Sequence, residues 1–291
     1  RVVQYEITYY QALCWSAPGF LISAALSSFF TGRGQTWVVM LVDGSAAMLN
    51  IALDYAWIFG HWGFPEGGVW GAAMATNVAL TAKMLVYLVL FLRRKERIAH
   101  RTLAGWPLDP HLFWRLLRFG FPAGVQLVLE VTGFTIFLFL VGKIGPMELA
   151  ASGMALNVST LAFMPIVGLA LAVTTLVGQY LGDNRDDLAA KATWTSLLIS
   201  TAYMAVLSIL YIGVPDLFLA GYMASGSESE NIRRTAVVLL RFVAAYNLFD
   251  ALNLIFVSAI KGAGDTRFVL FTTLIMASAL GLGSLAAVEW L

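Results

Sequence analysis

The pattern of apolar residues divides the chain into eight long hydrophobic segments separated by short polar ones. A helix that crosses about 30 Å of hydrocarbon needs about 20 such residues. Frequent Gly, Ala, Ser and Thr suit close helix packing in lipid, and the alternating ten-residue pattern of an outer-membrane barrel is missing. The pattern predicts an all-α integral membrane protein, a polytopic bundle of about eight transmembrane helices. The predicted spans are Tyr5–Phe30, Thr36–Phe59, Val69–Leu92, Phe119–Val141, Leu149–Leu181, Ala192–Ile212, Thr235–Ile260 and Phe268–Ala287.

Composition supports this class and excludes others. Of the 291 residues, 59% are hydrophobic and 12% are charged, whereas about a quarter of a soluble domain is charged. A net charge of +1 argues against a nucleic-acid partner, because such proteins carry a clustered basic excess. The single cysteine rules out an intramolecular disulfide and a thiolate metal site. No phosphate-binding loop and no paired nucleophile and base occur, so neither an enzyme nor a resident cofactor is expected.

The positions of Lys and Arg predict the orientation of the spans. Most of them, including Arg33, Lys261 and the group within residues 93–118, fall on one side of the membrane, which the positive-inside rule makes cytoplasmic. Residues 93–118 are predicted to form a cytoplasmic basic linker with a short amphipathic helix around Leu112–Arg118. Its charges either fix the topology or contact lipid. The linker separates residues 1–92 from residues 119–291.

A short internal repeat indicates how these parts are related. Thr31–Thr36 (TGRGQT) resembles Lys261–Thr266 (KGAGDT) at an offset of 230 residues. Each is predicted to be a cytoplasmic turn in which glycines provide backbone freedom and the last Thr caps the next helix. An even number of spans between the copies implies a parallel repeat of six helices. Two such repeats give about 460 residues and twelve spans, of which this chain is expected to hold spans four to eleven.

Ionisable residues within the spans are the candidates for function, since each costs a few kcal/mol at the bilayer centre. Glu130 and Asp250 both lie about 15 Å from the cytoplasmic side at 1.5 Å per residue, so they could share one site. Gln126 lies one turn before Glu130, and Tyr246 and Asn253 share a helix face with Asp250. Such oxygens suit Na⁺, and paired carboxyl groups could instead carry a proton. The structural alternative is that both acids only hold the bundle together.

A second polar group lies in the earlier spans. Asp43 and Lys83 are predicted at similar depths, which favours a structural ion pair slightly over a transport role. Asn50 and Asp54 lie one turn apart and either line a cavity or form hydrogen bonds between helices.

Several stretches together make the chain resemble the multidrug and toxic compound extrusion (MATE) family, and within it the NorM-like branch. The likeness extends over essentially the whole chain, although each stretch alone is weak. The stretches are FTGRGQT at 30–36, LNIALDYAWIFG at 49–60, GVWGAAMA at 68–75, GFPAGVQLVLE at 120–130, LAASGMA at 149–155, LVGQYLG at 176–182 and KGAGDT at 261–266.

The resemblance implies two six-helix lobes around a central cavity, with spans four to six in the N-terminal lobe and seven to eleven in the C-terminal lobe. It implies a monomeric antiporter in the bacterial cytoplasmic membrane, surrounded by lipid, that expels small organic cations or drugs against inward flow of Na⁺ or H⁺. The family's cation site falls on Glu130, Tyr246 and Asp250, with Na⁺ at the two carboxylates. Its polar positions on the fifth span fall on Asn50 and Asp54, where Asp replaces a frequent Asn.

Two other functions remain open at this stage. A lipid-linked oligosaccharide flippase of related architecture would need a strongly cationic cavity, whereas only Lys83 and Arg241 are basic within the spans. A non-transporting membrane scaffold would have no use for carboxylates at matched depth. The residues alone slightly favour Na⁺ over H⁺, because Tyr and Asn oxygens flank the acids.

Overall fold

The computed structural model describes residues 2–100, 102, 108–222 and 227–289, and these are almost entirely helical. No strand occurs within these ranges, so the all-α prediction is confirmed. A 3₁₀ turn, Ala220–Tyr222, follows the ninth helix. The helices are α1 (Val2–Cys14), α2 (Ala17–Gly32), α3 (Thr36–Phe59), α4 (Gly68–Phe91), α5 (Arg94–His100), α6 (Pro110–Ile144), α7 (Pro146–Gly182), α8 (Asp186–Gly213), α9 (Pro215–Leu219), α10 (Ser227–Gly262) and α11 (Thr266–Glu289).

The long helices correspond to the eight predicted spans. Six of them, α3, α4, α6, α7, α8 and α10, are long and apolar enough to cross a membrane. The pair α1 and α2 is bent by 47° at its break and passes the same test only as a pair, so it gives a seventh span if the two helices are taken together. In α11 the qualifying apolar stretch, Thr266–Ala279, is shorter. The eighth predicted span, Phe268–Ala287, therefore corresponds to α11, but the apolar stretch found in this helix is shorter than a membrane span.

The chain forms two compact units that divide between Asp109 and Pro110. In the first unit α4 packs against α1, α2 and α3, around a core of Phe30, Val42 and Tyr87. In the second unit α10 packs against α7 and α8, while α6 packs against α11 and α7. The middle of the predicted linker, residues 101 and 103–107, lies outside the described residues. The amphipathic run around Leu112–Arg118 is not a separate helix, because it forms the first turns of α6.

The bend between α1 and α2 is caused by a proline and is held by a hydrogen bond from α4. Pro18 has no N–H to donate to the carbonyl of Cys14, so one helical hydrogen bond is lost here and the chain bends. The side-chain hydroxyl of Ser16 donates to the Leu13 carbonyl at 2.6 Å. From α4, the Asn77 amide donates to the Ala12 carbonyl at 2.8 Å. Asn77 thereby connects the end of α1 to α4.

The two repeated turns adopt the same backbone conformation. In the first, Gly34 has a φ of 72° and the Gln35 N–H donates to the Phe30 carbonyl at 2.9 Å. In the second, Gly264 has a φ of 88° and the Asp265 N–H donates to the Ile260 carbonyl at 3.1 Å. Both are helix ends closed by a residue in the left-handed region. The predicted glycine-dependent turn is confirmed at both positions, and the six-helix repeat stays a prediction.

The same turn geometry also joins α7 to α8. Here the Arg185 N–H donates to the Tyr180 carbonyl at 2.8 Å, and Asn184 takes the left-handed position with a φ of 56°. Asn is the residue that best tolerates this region after Gly.

The predicted capping residue of the repeated turn is wrong. The N–H of Phe268 donates to Asp265 Oδ1 at 3.0 Å, so Asp265 caps α11. The buried Thr266 hydroxyl has no hydrogen-bond partner among the described residues. In the first copy Gln35 precedes α3 without a side-chain cap. In the segment Lys261–Thr266 the fifth residue, Asp265, is therefore the capping group of the next helix, and the sixth residue, Thr266, is not.

Gly262 is expected to be intolerant of any side chain, because α7 and α10 approach closely there. A Cβ at this position would lie 2.6 Å from the Thr174 carbonyl oxygen, and the Thr174 hydroxyl donates to the Ser258 carbonyl at 3.0 Å. We expect Gly262→Ala to destabilise the second unit by about 1–3 kcal/mol, since two backbones would have to separate. Thermal unfolding in detergent measures the change. Gly168→Ala, on α7 with nothing within 4 Å of its Cβ, is the matched control, and equal stabilities of the two variants would contradict the account.

Candidate functional site

A buried amide and a carboxylate form a pair on α6. Gln126 is 4% exposed, and its side-chain Nε2 donates to Glu130 Oε1 at 2.6 Å. The spacing of one helical turn brings the two groups together. Gln126 Oε1 is buried and has no hydrogen-bond partner among the described residues. An unpaired buried carbonyl costs about 1–3 kcal/mol, which a cation or a hydrogen-bond donor at this position would offset.

The second part of the predicted site lies on α10. Tyr246 and Asp250 are one turn apart, and the Tyr246 hydroxyl forms a hydrogen bond with Ser159 on α7. Asp250 is close enough to Tyr246 for an electrostatic interaction between them. Tyr246 is 40% exposed, Asp250 is half-buried and Asn253 is exposed. Sequence reasoning missed Ser159, which lies in a run of small residues with nothing to distinguish it.

The two parts are related through α7. This helix packs against both α6 and α10, whereas α6 makes its main contacts with α11 and α10 makes its main contacts with α7 and α8. Glu130 and Asp250 therefore lie on helices that flank a common neighbour. Within the described residues no three His, Cys, Asp or Glu side chains come together as a metal site.

A separate polar cluster lies in the first unit between α3 and α4. Asp43 Oδ1 accepts from Lys83 Nζ at 2.9 Å and from the Tyr87 hydroxyl at 2.8 Å. Tyr87 is fully buried, and the side chain of Lys83 is only 19% exposed. The structure thus brings Asp43 and Lys83 together and adds Tyr87, which follows Lys83 by one turn and was predictable from that spacing.

Asn50 and Asp54 lie one turn apart on α3, further along the helix than Asp43. Both are half-buried. The Asn50 amide nitrogen is buried and without a hydrogen-bond partner among the described residues. This pair remains a predicted cavity contact of the first unit.

Two helical units with polar groups inside lipid-compatible spans define a multi-pass membrane protein. The sequence profile of the MatE family matches residues 122–284, which is more than half of the chain. The chain belongs to the MatE family, whose members are transporters and not enzymes.

Solved structures of the family share the fold. The chain is similar to an outward-facing multidrug resistance MATE family transporter of the MOP superfamily, with 22% identity and a TM-score of 0.82 over 93% of this chain and 59% of that one. The chain is also similar to a MOP superfamily transporter from Pyrococcus furiosus, with 22% identity and a TM-score of 0.80 over 92% of this chain and 58% of that one. A eukaryotic MATE transporter is similar with 20% identity and a TM-score of 0.75 over 90% of this chain and 57% of that one. The chain thus spans less than two thirds of the length of these relatives.

Proposed function

We propose that the protein is a cation-coupled antiporter that exports small organic compounds, with its coupling-ion site at Glu130, Tyr246 and Asp250. Membership of the MatE family supports transport, and one similar structure is described as a multidrug resistance transporter. The observation that carries the cation site is the α6 pair, in which a carboxylate adjoins the unpaired, buried carbonyl oxygen of Gln126. In keeping with this role we place the protein in the bacterial cytoplasmic membrane as a monomer.

The chemistry of the α6 pair favours Na⁺ over H⁺ as the coupling ion. Carboxylate, amide carbonyl and phenol oxygens are hard ligands of the kind that alkali and alkaline-earth cations take. A proton on Glu130 would satisfy the Gln126 carbonyl only if the amide turned to accept a hydrogen bond from the carboxyl group, because in the present arrangement the amide nitrogen faces Glu130. A metal ion at Glu130 could also be held by Gln126 Oε1.

The proposed mechanism is alternating access. Cation binding at Glu130 and Asp250 favours the conformation that releases the organic compound outward, and binding of that compound from inside favours release of the cation inward. Coupling needs each ligand to prefer a different state, typically by about 1–3 kcal/mol. Charged groups inside the spans fit this role because they are costly unless they bind a ligand or a partner.

Gln126→Leu is expected to weaken Na⁺ binding about tenfold. The substitution removes one ligand oxygen and the amide that orients Glu130, and loss of a hydrogen bond to a charged group costs about 1.5–3 kcal/mol. The measurement is the Na⁺ concentration at the midpoint of the change in intrinsic fluorescence, for which the chain offers nine tryptophans. Gln179→Leu, near the end of α7, serves as the matched control. An unchanged midpoint in Gln126→Leu would remove Gln126 from the site.

The spans of the protein offer little of the free cationic charge that the flippase alternative needs. Such a protein needs free cationic groups for a pyrophosphate, and Lys83 is already paired with Asp43. Of the two basic residues predicted within the spans, this leaves Arg241, which is exposed.

A further inference from the structure

A groove runs between the first turns of α6 and the start of α11 in the second unit. It has a volume of about 650 Å³. The two helices begin side by side, so the groove opens at the end of the unit where the α10–α11 turn lies. Its walls include two basic and four apolar side chains, namely Trp114, Arg118, Phe121, Arg267, Leu270 and Phe271.

The two arginines give the groove an uncompensated positive charge. Neither Arg118 nor Arg267 takes part in an ion pair within the described part of the chain. Asp265, close to Arg267 in sequence, instead caps α11 by accepting the Phe268 N–H. An anionic ligand would therefore meet two guanidinium groups, which favour phosphate geometry.

The position of the groove suits a ligand that is partly apolar. The 35 residues of α6 extend over about 52 Å, compared with about 30 Å of hydrocarbon, so its first turns reach into the headgroup region. Deeper along the groove Phe121 is 70% exposed and Phe271 is 63% exposed. The basic end thus adjoins an apolar wall that would contact acyl chains.

We propose that this groove binds an anionic phospholipid, with its headgroup phosphate at Arg118 and Arg267 and its acyl chains along Phe121, Leu270 and Phe271. Basic pockets between transmembrane helices on the cytoplasmic side bind anionic lipid headgroups in this way. A free phosphate ion would use only the basic end and leave the apolar wall uncovered. The inference does not depend on the proposed antiport, because it involves none of the cation-site residues.

Native mass spectrometry of the full-length protein in lipid nanodiscs tests the proposal. The nanodiscs contain phosphatidylglycerol and phosphatidylethanolamine with identical acyl chains, and the bound lipid is identified after release. We expect the unmodified protein to retain phosphatidylglycerol in about tenfold preference, since each interfacial arginine contributes attraction to anionic lipid. Arg118→Gln with Arg267→Gln should lose this preference. Arg115→Gln with Arg185→Gln, which removes the same charge from the same end of the unit, should keep it.

Three results would overturn the proposal. Equal retention of both lipids by the unmodified protein would do so without any variant, so misfolding of the double variant cannot rescue the idea. Equal loss of preference in both double variants would show a general charge effect and no site. Displacement of phosphatidylglycerol by millimolar inorganic phosphate alone would identify a simple anion site.

Discussion

Glu130→Gln and Asp250→Asn are each expected to abolish coupled efflux while leaving membrane insertion intact. The amides keep the shape of the acids but carry no charge to balance Na⁺ and cannot accept a proton. Loss of a coupling free energy of about 1–3 kcal/mol corresponds to about 5- to 150-fold in affinity, so gradient-driven export should fall to the background. The measurement is export of a fluorescent organic cation from proteoliposomes, normalised to the amount of inserted protein.

Two matched substitutions separate a site effect from a general charge effect. Glu148→Gln lies in the first turn of α7 and Asp187→Asn in the first turn of α8, and both should retain efflux. If Glu130→Gln and Asp250→Asn also retain the efflux of the unmodified protein, the assignment of the cation site is wrong.

Lys83→Met is expected to destabilise the first unit by about 2–4 kcal/mol. It would leave the Asp43 carboxylate within the spans with only the Tyr87 hydroxyl as a partner, and removing one member of a buried pair leaves an uncompensated charge. The side chain of Asp43 is 43% exposed. Because solvent screens its charge, the expected loss of stability is smaller than for a fully buried ion pair. The free energy of unfolding in mixed micelles measures this loss.

A double-mutant cycle shows whether the loss belongs to the ion pair. Asp43→Asn combined with Lys83→Met should recover most of the stability, because no charge then remains unpaired. Lys95→Met, on the exposed side of α5, is the matched control and should change stability by less than about 0.5 kcal/mol. A Lys83→Met protein as stable as this control would show that the ion pair does not stabilise the unit.

The sequence predicted the spans well because a membrane imposes a simple length rule. Span Thr36–Phe59 coincides with α3. The start of α6 differs, since the helix begins at Pro110 rather than Phe119. Hydropathy detects the part of a helix that lies in hydrocarbon, whereas the amphipathic turns at residues 110–118 continue the same hydrogen-bonding pattern while Arg115 and Arg118 interrupt the apolar run.

The bend between α1 and α2 has one cause that the sequence shows and one contact that it does not show. Pro18 could have predicted it, because a proline within an apolar segment removes a helical hydrogen bond. The contact from Asn77 to the Ala12 carbonyl joins residues far apart in sequence. Only the packing of α4 against α1 defines that contact.

The charged residues of the candidate site could be predicted from the sequence, but their burial and their contacts with other helices could not. The cost of ionised groups in a membrane singled out Glu130 and Asp250, and helical spacing added Gln126 and Tyr246. The burial of Gln126 and the contact of Tyr246 with Ser159 depend on how α6 and α10 pack against α7. Such contacts between helices have no periodic signal in a single sequence.

The most direct measurement is efflux of a fluorescent organic cation from proteoliposomes containing the full-length protein, under a Na⁺ gradient alone and then a pH gradient alone. We expect the Na⁺ gradient to drive export, and Glu130→Gln to abolish it. Export driven by the pH gradient only would make the same carboxylates proton carriers and contradict the Na⁺ assignment. No export under either gradient would contradict cation-coupled antiport itself.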